Sequence, residues 1–219
     1  MVGKYKNVVG ENNVLTGYED LKQYSTDAFG RWRGGHFTQE NLVSAVVRPS
    51  NTNEVVELVR LSNEWRIPLI PFGAGTGVMG AISPSNGGIA VDLKRMCSVI
   101  DLDTISRSVT AEAGIILSNL DEALNEKGFL LGHDPYSFPI ATIGGAISTN
   151  GVGYRASKYG SMGEQVLGME VVLPTGEVLK TRAVPKTSVG PALQAMFIGS
   201  EGTFGIITQA TVKIFKMPE

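Results

Sequence analysis

The feature that most constrains this chain is a glycine run, Pro71-Phe72-Gly73-Ala74-Gly75-Thr76-Gly77-Val78-Met79-Gly80, placed directly after the strand-like segment Ile67-Pro68-Leu69-Ile70. Glycine has no Cβ to block close approach and adopts φ > 0 at little steric cost, so several N–H groups of such a loop can converge on one anion. A nucleotide pyrophosphate is the expected anion. A short structural turn is the alternative for this loop taken alone, since glycine loops are common in α/β folds.

Two familiar loop chemistries fail on the residues that follow. Gly75-Thr76-Gly77-Val78-Met79-Gly80 matches G-x-G-x-x-G, but that fingerprint must open a helix, and Ala81-Ile82-Ser83-Pro84-Ser85-Asn86-Gly87-Gly88 carries a proline and turn formers instead. The P-loop reading fails because no Lys-Ser/Thr pair follows the glycines to reach a β- or γ-phosphate.

The pattern along the chain makes the region around this loop a small α/β unit. Tyr18 to Tyr24 reads as a short amphipathic segment, and Gly30-Arg31-Trp32-Arg33-Gly34-Gly35-His36 as a loop. Ser44 to Pro49 reads as a strand, and Asn51 with Glu54 gives a start like a capping box to a helix carrying Val55, Val56, Leu58, Val59 and Leu61. Ile67 to Phe72 is expected as a second, buried strand and Gly88 to Leu93 as a third, with the glycine loop at the end of the second.

Beyond about residue 97 the texture changes. Ser106 to Ala113 alternates like a half-buried strand, Leu117 to Lys127 has helical spacing and stops at Gly128, and Val166–Leu173, Pro174–Glu177 and Val178–Thr181 form a hairpin pattern. A short helix is expected around Ala192 to Phe197, then a last strand from Ile206 to Phe215. The fold class is therefore α+β in two lobes: a small α/β N-terminal lobe (about 1–96) and a larger lobe (about 97–219) with a mostly antiparallel sheet.

Two further glycine-rich segments lie in the second lobe. In His133-Asp134-Pro135-Tyr136-Ser137-Phe138-Pro139-Ile140-Ala141-Thr142-Ile143-Gly144-Gly145-Ala146-Ile147-Ser148-Thr149-Asn150-Gly151, small residues alternate with the hydroxyls of Ser137, Thr142, Ser148 and Thr149. That pattern suits a surface where backbone lies close to a flat polar ligand and bonds its edges. The third segment is Gly199-Ser200-Glu201-Gly202-Thr203-Phe204-Gly205-Ile206-Ile207. Three such segments in one chain argue against a turn-only role.

Taken together and in this order, these residues resemble the FAD-binding domain of the vanillyl-alcohol oxidase (PCMH-type) superfamily. The similarity is strongest to its D-2-hydroxy-acid branch (glycolate oxidase D subunit and D-lactate dehydrogenase) and to alkyl-dihydroxyacetone-phosphate synthases. It runs from Val46-Val47-Arg48-Pro49 to Gly199-Ser200-Glu201-Gly202-Thr203. The resemblance implies a two-lobed PCMH-type fold that binds FAD. It implies that Pro71, Gly73, Ala74, Gly75, Thr76 and Gly77 wrap the pyrophosphate. It also implies that Ser137, Ala141, Thr142, Gly144, Gly145, Ser148, Thr149, Asn150 and Gly151 lie along the flavin and ribityl, and that Glu201, Gly205, Ile206 and Ile207 make backbone contacts beside the cofactor. Some members tether FAD through a histidine in the first loop; Thr76 holds the matching position, so noncovalent FAD is expected.

The family's substrate-binding cap follows the last motif, whereas this chain stops at Met217-Pro218-Glu219. The resemblance therefore implies that a hydroxy-acid substrate meets the flavin only with a cap domain or partner subunit. Three functions remain open: the flavin half of a D-2-hydroxy-acid oxidoreductase, an alkyl-dihydroxyacetone-phosphate-synthase-like transferase suggested by Gly132-His133-Asp134-Pro135 and Ser188-Val189-Gly190-Pro191, and a non-enzymatic nucleotide-binding subunit.

Composition narrows the remaining classes. With 19 Lys+Arg against 21 Asp+Glu there is no electrostatic footprint for nucleic acid. No apolar run approaches the ~20 residues that span a bilayer, and Met1 to Lys6 lacks a signal-peptide core, so a cytoplasmic location is the expectation. One cysteine, Cys97, and two histidines, His36 and His133, without metal-ligand spacing predict no built metal site. Cys97 is expected in the core, and Arg31, Arg33 and His36 on a solvated loop. His133, beside Asp134, is expected to be structural or adjacent to the cofactor, with a catalytic base as the alternative.

Overall fold

Two sheets, one behind the other in sequence, carry the chain. The computed structural model describes residues 2–28, 30 and 42–218. The first sheet contains β1 (Val14–Leu15), β2 (Ala45–Val47), β3 (Leu69–Phe72) and β4 (Ile89–Asp92) in the order β1-β2-β4-β3. Strand β4 pairs in parallel with both β2 and β3, while β1 is antiparallel to β2.

Strands β2 and β4 are buried at every position because both faces of this sheet are covered. On one face Ala45, Val47, Ile89 and Val91 meet Val55, Leu58 and Val59 of the helix Thr52–Trp65. On the other, Val46 and Ala90 pack with Tyr24, Val43 and Phe72. That helix starts as its sequence suggests, with one change of partner. Asn51 accepts from the Glu54 N–H, but the Glu54 carboxylate returns to the Ser50 N–H at 2.8 Å rather than to that of Asn51. Strand β3 is shorter and more exposed than expected, with only Phe72 fully buried, because it forms the sheet edge.

Behind the covered face, Asp92 is a buried carboxylate and needs partners. Tyr24 donates to it at 2.6 Å, Arg48 at 3.2 Å, and the Lys94 ammonium stands 3.4 Å away. Burial and the bond to Asp92 push the Tyr24 phenol up, against the opposing effect of Arg48 and Lys94.

The second sheet is antiparallel and built on one long strand. Its order is β5 (Val99–Asp103), β6 (Ser108–Glu112), β10 (Ile206–Lys216), β8 (Val166–Val172), β9 (Val178–Lys180), with β7 (Phe129–Leu131) also paired to β10. Strand β6 alternates half-buried and buried as its period of two requires, and the β8–β9 hairpin closes at the Pro174–Glu177 turn with Val172 opposite Val178. The helix Leu117–Asn125 ends before Gly128 at φ +77°. The expected helix near Ala192–Phe197 is a 3-10 turn, Leu193–Met196.

The two sheets meet along the helix Thr52–Trp65 and strand β8. Glu170 accepts from Thr52 at 2.7 Å and from Thr208 at 2.9 Å, and Asn63 donates to the Pro174 carbonyl at 2.7 Å. Gly114 packs against the segment Leu93–Ser98, where the chain passes from one sheet to the next, and leaves no room for a side chain, since a Cβ would overlap the Leu93 carbonyl. Cys97 sits in this passage and is exposed, a correction to its expected burial: the inward position of the turn is taken by Met96.

Candidate functional site

A cleft of about 370 Å³ opens where the first sheet faces the second. One wall is the glycine loop at the end of β3. No helix follows it, and the chain from Gly73 to Gly88 runs through bends and turns. The amides of Gly73, Ala74, Thr76 and Gly77 donate no hydrogen bond to any described residue, although all four residues line the cleft. Gly75 is held at φ +64°, a conformation in which glycine is at ease and other residues are strained.

The opposite wall is a short helix, Ile143–Ser148, that the sequence did not announce. Two adjacent glycines make it a poor intrinsic helix former, and tertiary bonds hold it instead. Thr142 caps it by accepting from the Gly145 N–H at 3.2 Å, the Ile143 N–H donates to Ile115, and the Gly144 N–H donates to Ala113. The walls come close: a Cβ on Gly73 would stand 2.5 Å from the Thr142 Oγ1; within the second wall, one on Gly144 would stand 2.8 Å from the Ala113 Cβ.

The third segment closes one side. The Glu201 N–H donates to the Ser148 carbonyl at 2.9 Å and the Gly199 N–H to the Ile147 carbonyl at 3.1 Å, fastening this turn to the short helix. Gly202 abuts the Pro71 ring, so all three segments touch.

Of the residues singled out in sequence, Pro71, Gly73, Ala74, Gly75, Thr76, Gly77, Ser137, Ala141, Thr142, Gly144, Gly145, Ser148, Thr149, Asn150, Gly151, Glu201, Gly205 and Ile207 line this one cleft. Ile206 does not; it is buried on β10. Arg31, Arg33 and His36 lie outside the described residues. Asp27 lines the cleft and was missed in sequence, because nothing local marks an aspartate some fifty residues upstream as part of a glycine loop.

His133 belongs to the second wall and is 1% exposed. Burial holds its imidazole below the usual histidine range, with the Asp134 charge opposing, so it is neutral at pH 7. Its Nδ1 is buried without a partner among the described residues. Asp134 is not its hydrogen-bond partner: that carboxylate accepts from the Arg155 N–H at 2.8 Å and pairs with the Arg155 guanidinium at 3.0 Å. The pairing expected of a His–Asp base is therefore not made.

A cleft between two sheets with unengaged backbone amides on one wall and a glycine-rich, hydroxyl-bearing wall opposite defines a nucleotide-cofactor-binding protein. Its family follows from comparison with known proteins. Residues 43–182 match the family described as FAD binding domain. Alkyldihydroxyacetonephosphate synthase of Trypanosoma brucei brucei is 36% identical across 100% of this chain and 36% of its own length. D-lactate dehydrogenase of Anaerostipes hadrus is 38% identical across 100% and 45%. Glycolate oxidase subunit GlcD of Bacillus subtilis (strain 168) is 36% identical across 82% and 38%.

Among solved structures, an alkyldihydroxyacetonephosphate synthase superposes with TM-score 0.90 at 29% identity, covering 100% of this chain and 40% of its own. A p-cresol methylhydroxylase superposes with TM-score 0.80 at 26% identity, covering 99% and 43%. The chain belongs to the FAD-binding domain family of the vanillyl-alcohol oxidase (PCMH-type) superfamily, and its cofactor is FAD. It spans 36% to 45% of the length of these curated relatives. Among the described residues no helix is long and apolar enough to cross a membrane.

Proposed function

We propose that this chain is the FAD-binding part of an oxidoreductase acting on a D-2-hydroxy acid, with FAD held noncovalently across the cleft. The observation that carries the reading is the set of unengaged amides at Gly73, Ala74, Thr76 and Gly77 along the cleft wall. Anions need donors, and backbone N–H groups with no acceptor among the described residues supply them without the desolvation cost of burying a cation. Gly73–Gly77 would hold the pyrophosphate, and Ala141, Thr142, Gly144, Gly145 and Thr149–Gly151 would line the flavin and ribityl. Thr76 has no nucleophilic nitrogen to tether the flavin, which supports noncovalent binding.

Bound FAD supplies a two-electron acceptor for the hydride of a substrate C–H bond. The chain's own part is to orient that acceptor and exclude water from the side facing Thr142 and Gly145. The exposed apolar side chains at the cleft mouth, Val78, Met79 and Val152, suit cover by a cap domain or partner subunit that brings the substrate. The D-lactate dehydrogenase and glycolate oxidase relatives favour the hydroxy-acid substrate class.

A second reading, an alkyl-dihydroxyacetone-phosphate-synthase-like transferase, is favoured by the similarity to such a synthase over the whole chain. Anaerobic mixing of the FAD-loaded protein, with its cap-bearing partner, against D-lactate and glycolate separates the two. Bleaching of the flavin absorbance supports the oxidoreductase. Full FAD occupancy with no bleaching by any D-2-hydroxy acid rejects the oxidoreductase.

A further inference from the structure

The distal half of the glycine loop is held by a buried carboxylate. Asp27 is 1% exposed; its Oδ2 accepts from the Gly80 N–H at 2.7 Å and its Oδ1 from the Gly30 N–H at 3.2 Å. The adjoining Ala28 N–H donates to the Gly77 carbonyl at 3.0 Å. The segment between β1 and β2 thus grips the loop at both ends of Gly77–Gly80, while the amides of Gly73, Ala74, Thr76 and Gly77 are engaged by no described residue.

We propose that Asp27 is the positioning residue of the pyrophosphate loop: it engages the Gly80 amide and fixes Gly77–Gly80, so that the amides of residues 73–77 are set for the anion before FAD arrives. The proposal rests on the reading that residues 73–77 hold the pyrophosphate. Its physical basis is conformational entropy. A loop with glycine at 73, 75, 77 and 80 loses more backbone freedom on ordering than the same loop without glycine would, and a ligand that must order it binds correspondingly weakly. Anchoring the loop in the free protein removes that cost from binding.

The charge makes the proposal directional. A carboxylate beside a pyrophosphate site repels the ligand, so if Asp27 acted only as a nearby charge, neutralising it would tighten FAD. If it acts by holding the loop, neutralising it weakens FAD. Riboflavin, which lacks phosphates, reports the flavin wall alone.

The test is fluorescence titration of the purified apoprotein and of its Asp27→Asn and Asp27→Ala variants with FAD and with riboflavin, together with thermal unfolding of each apo form. The expected result for Asp27→Ala is FAD binding weaker by about tenfold or more, from loss of charge-assisted bonds to the loop. Riboflavin binding changes less than about twofold, the phosphate contacts being absent from it. Asp27→Asn, nearly isosteric and keeping one acceptor oxygen, falls between and serves if the alanine variant does not fold. Tighter FAD binding in the variants, or an unchanged preference for FAD over riboflavin, overturns the proposal. If the parent protein itself shows no preference for FAD over riboflavin, the pyrophosphate reading of the loop fails and the proposal falls with it.

Discussion

The two facing walls of the cleft are both glycine-rich, and they use glycine for opposite ends. In the loop Gly73–Gly77 the backbone donors at residues 73, 74, 76 and 77 have no acceptor among the described residues. In the short helix Ile143–Ser148 the first donors are all satisfied, by Ile115, Ala113 and Thr142. There the missing Cβ serves packing, because Gly144 lies against Ala113 with no space for a methyl group. A glycine count alone does not separate a ligand-facing wall from a packed one; the destination of each N–H does.

The strongest way to break this comparison is to place charge on the open wall. Thr76→Glu, at a position with no positive φ to strain the backbone, sets a carboxylate against the phosphates. At about 4 Å and an effective dielectric near 20 the repulsion is about 4 kcal/mol, so FAD affinity falls at least a hundredfold. The urea midpoint of the apo form stays unchanged. A matching loss of apo stability would mean that this wall too is structural.

The reverse holds opposite. Gly144→Ala forces a methyl group into the Ala113 backbone and costs about 2 kcal/mol of stability, read from urea unfolding without FAD. A variant as stable as the parent would show that the helix is not held by this contact. A smaller loss, about 1 kcal/mol, is expected of Thr142→Ala, which removes the cap at the Gly145 N–H, with Thr142→Ser restoring most of it.

The smallest effect sharpens the role of His133 in the packed wall. Burial lowers its pKa in the folded state, so the unfolded chain binds the proton more readily. Its contribution is complete above the unfolded value of about 6.5 and is lost as pH falls below it towards the depressed folded value. Apo stability should therefore decline from pH 7 to 5.5 in the parent and decline less in His133→Gln. Identical slopes would mean that the imidazole is as well solvated folded as unfolded.

The sequence carried the loop and both sheets, but unevenly. Parallel strands with two covered faces read as apolar runs, and the hairpin Val166–Lys180 showed its turn residues, so these elements were legible. Strand β7 was not: three residues after a helix have no period, and only pairing with β10 makes them a strand. The helix Ile143–Ser148 was hidden by its own Gly-Gly pair, because long-range bonds override its propensity. Asp27 and the exposure of Cys97 depend on where distant segments return in space, which no local pattern encodes. The glycine segments stood out for the inverse reason: dense glycine is costly to order, so it stands where the backbone itself is needed.

Strand β10 gives the molecule a timetable. It is the common partner of β6, β7 and β8, so three strand edges wait for the segment Ile206–Lys216 before they can close. During synthesis at about 5–20 residues per second, the edge of β6 stands open for roughly 5 to 20 s while the intervening hundred or so residues are made. For that interval the nascent chain offers bare hydrogen-bonding edges to any neighbour. Its vulnerability to misassociation on the ribosome is therefore governed by how late this one strand arrives.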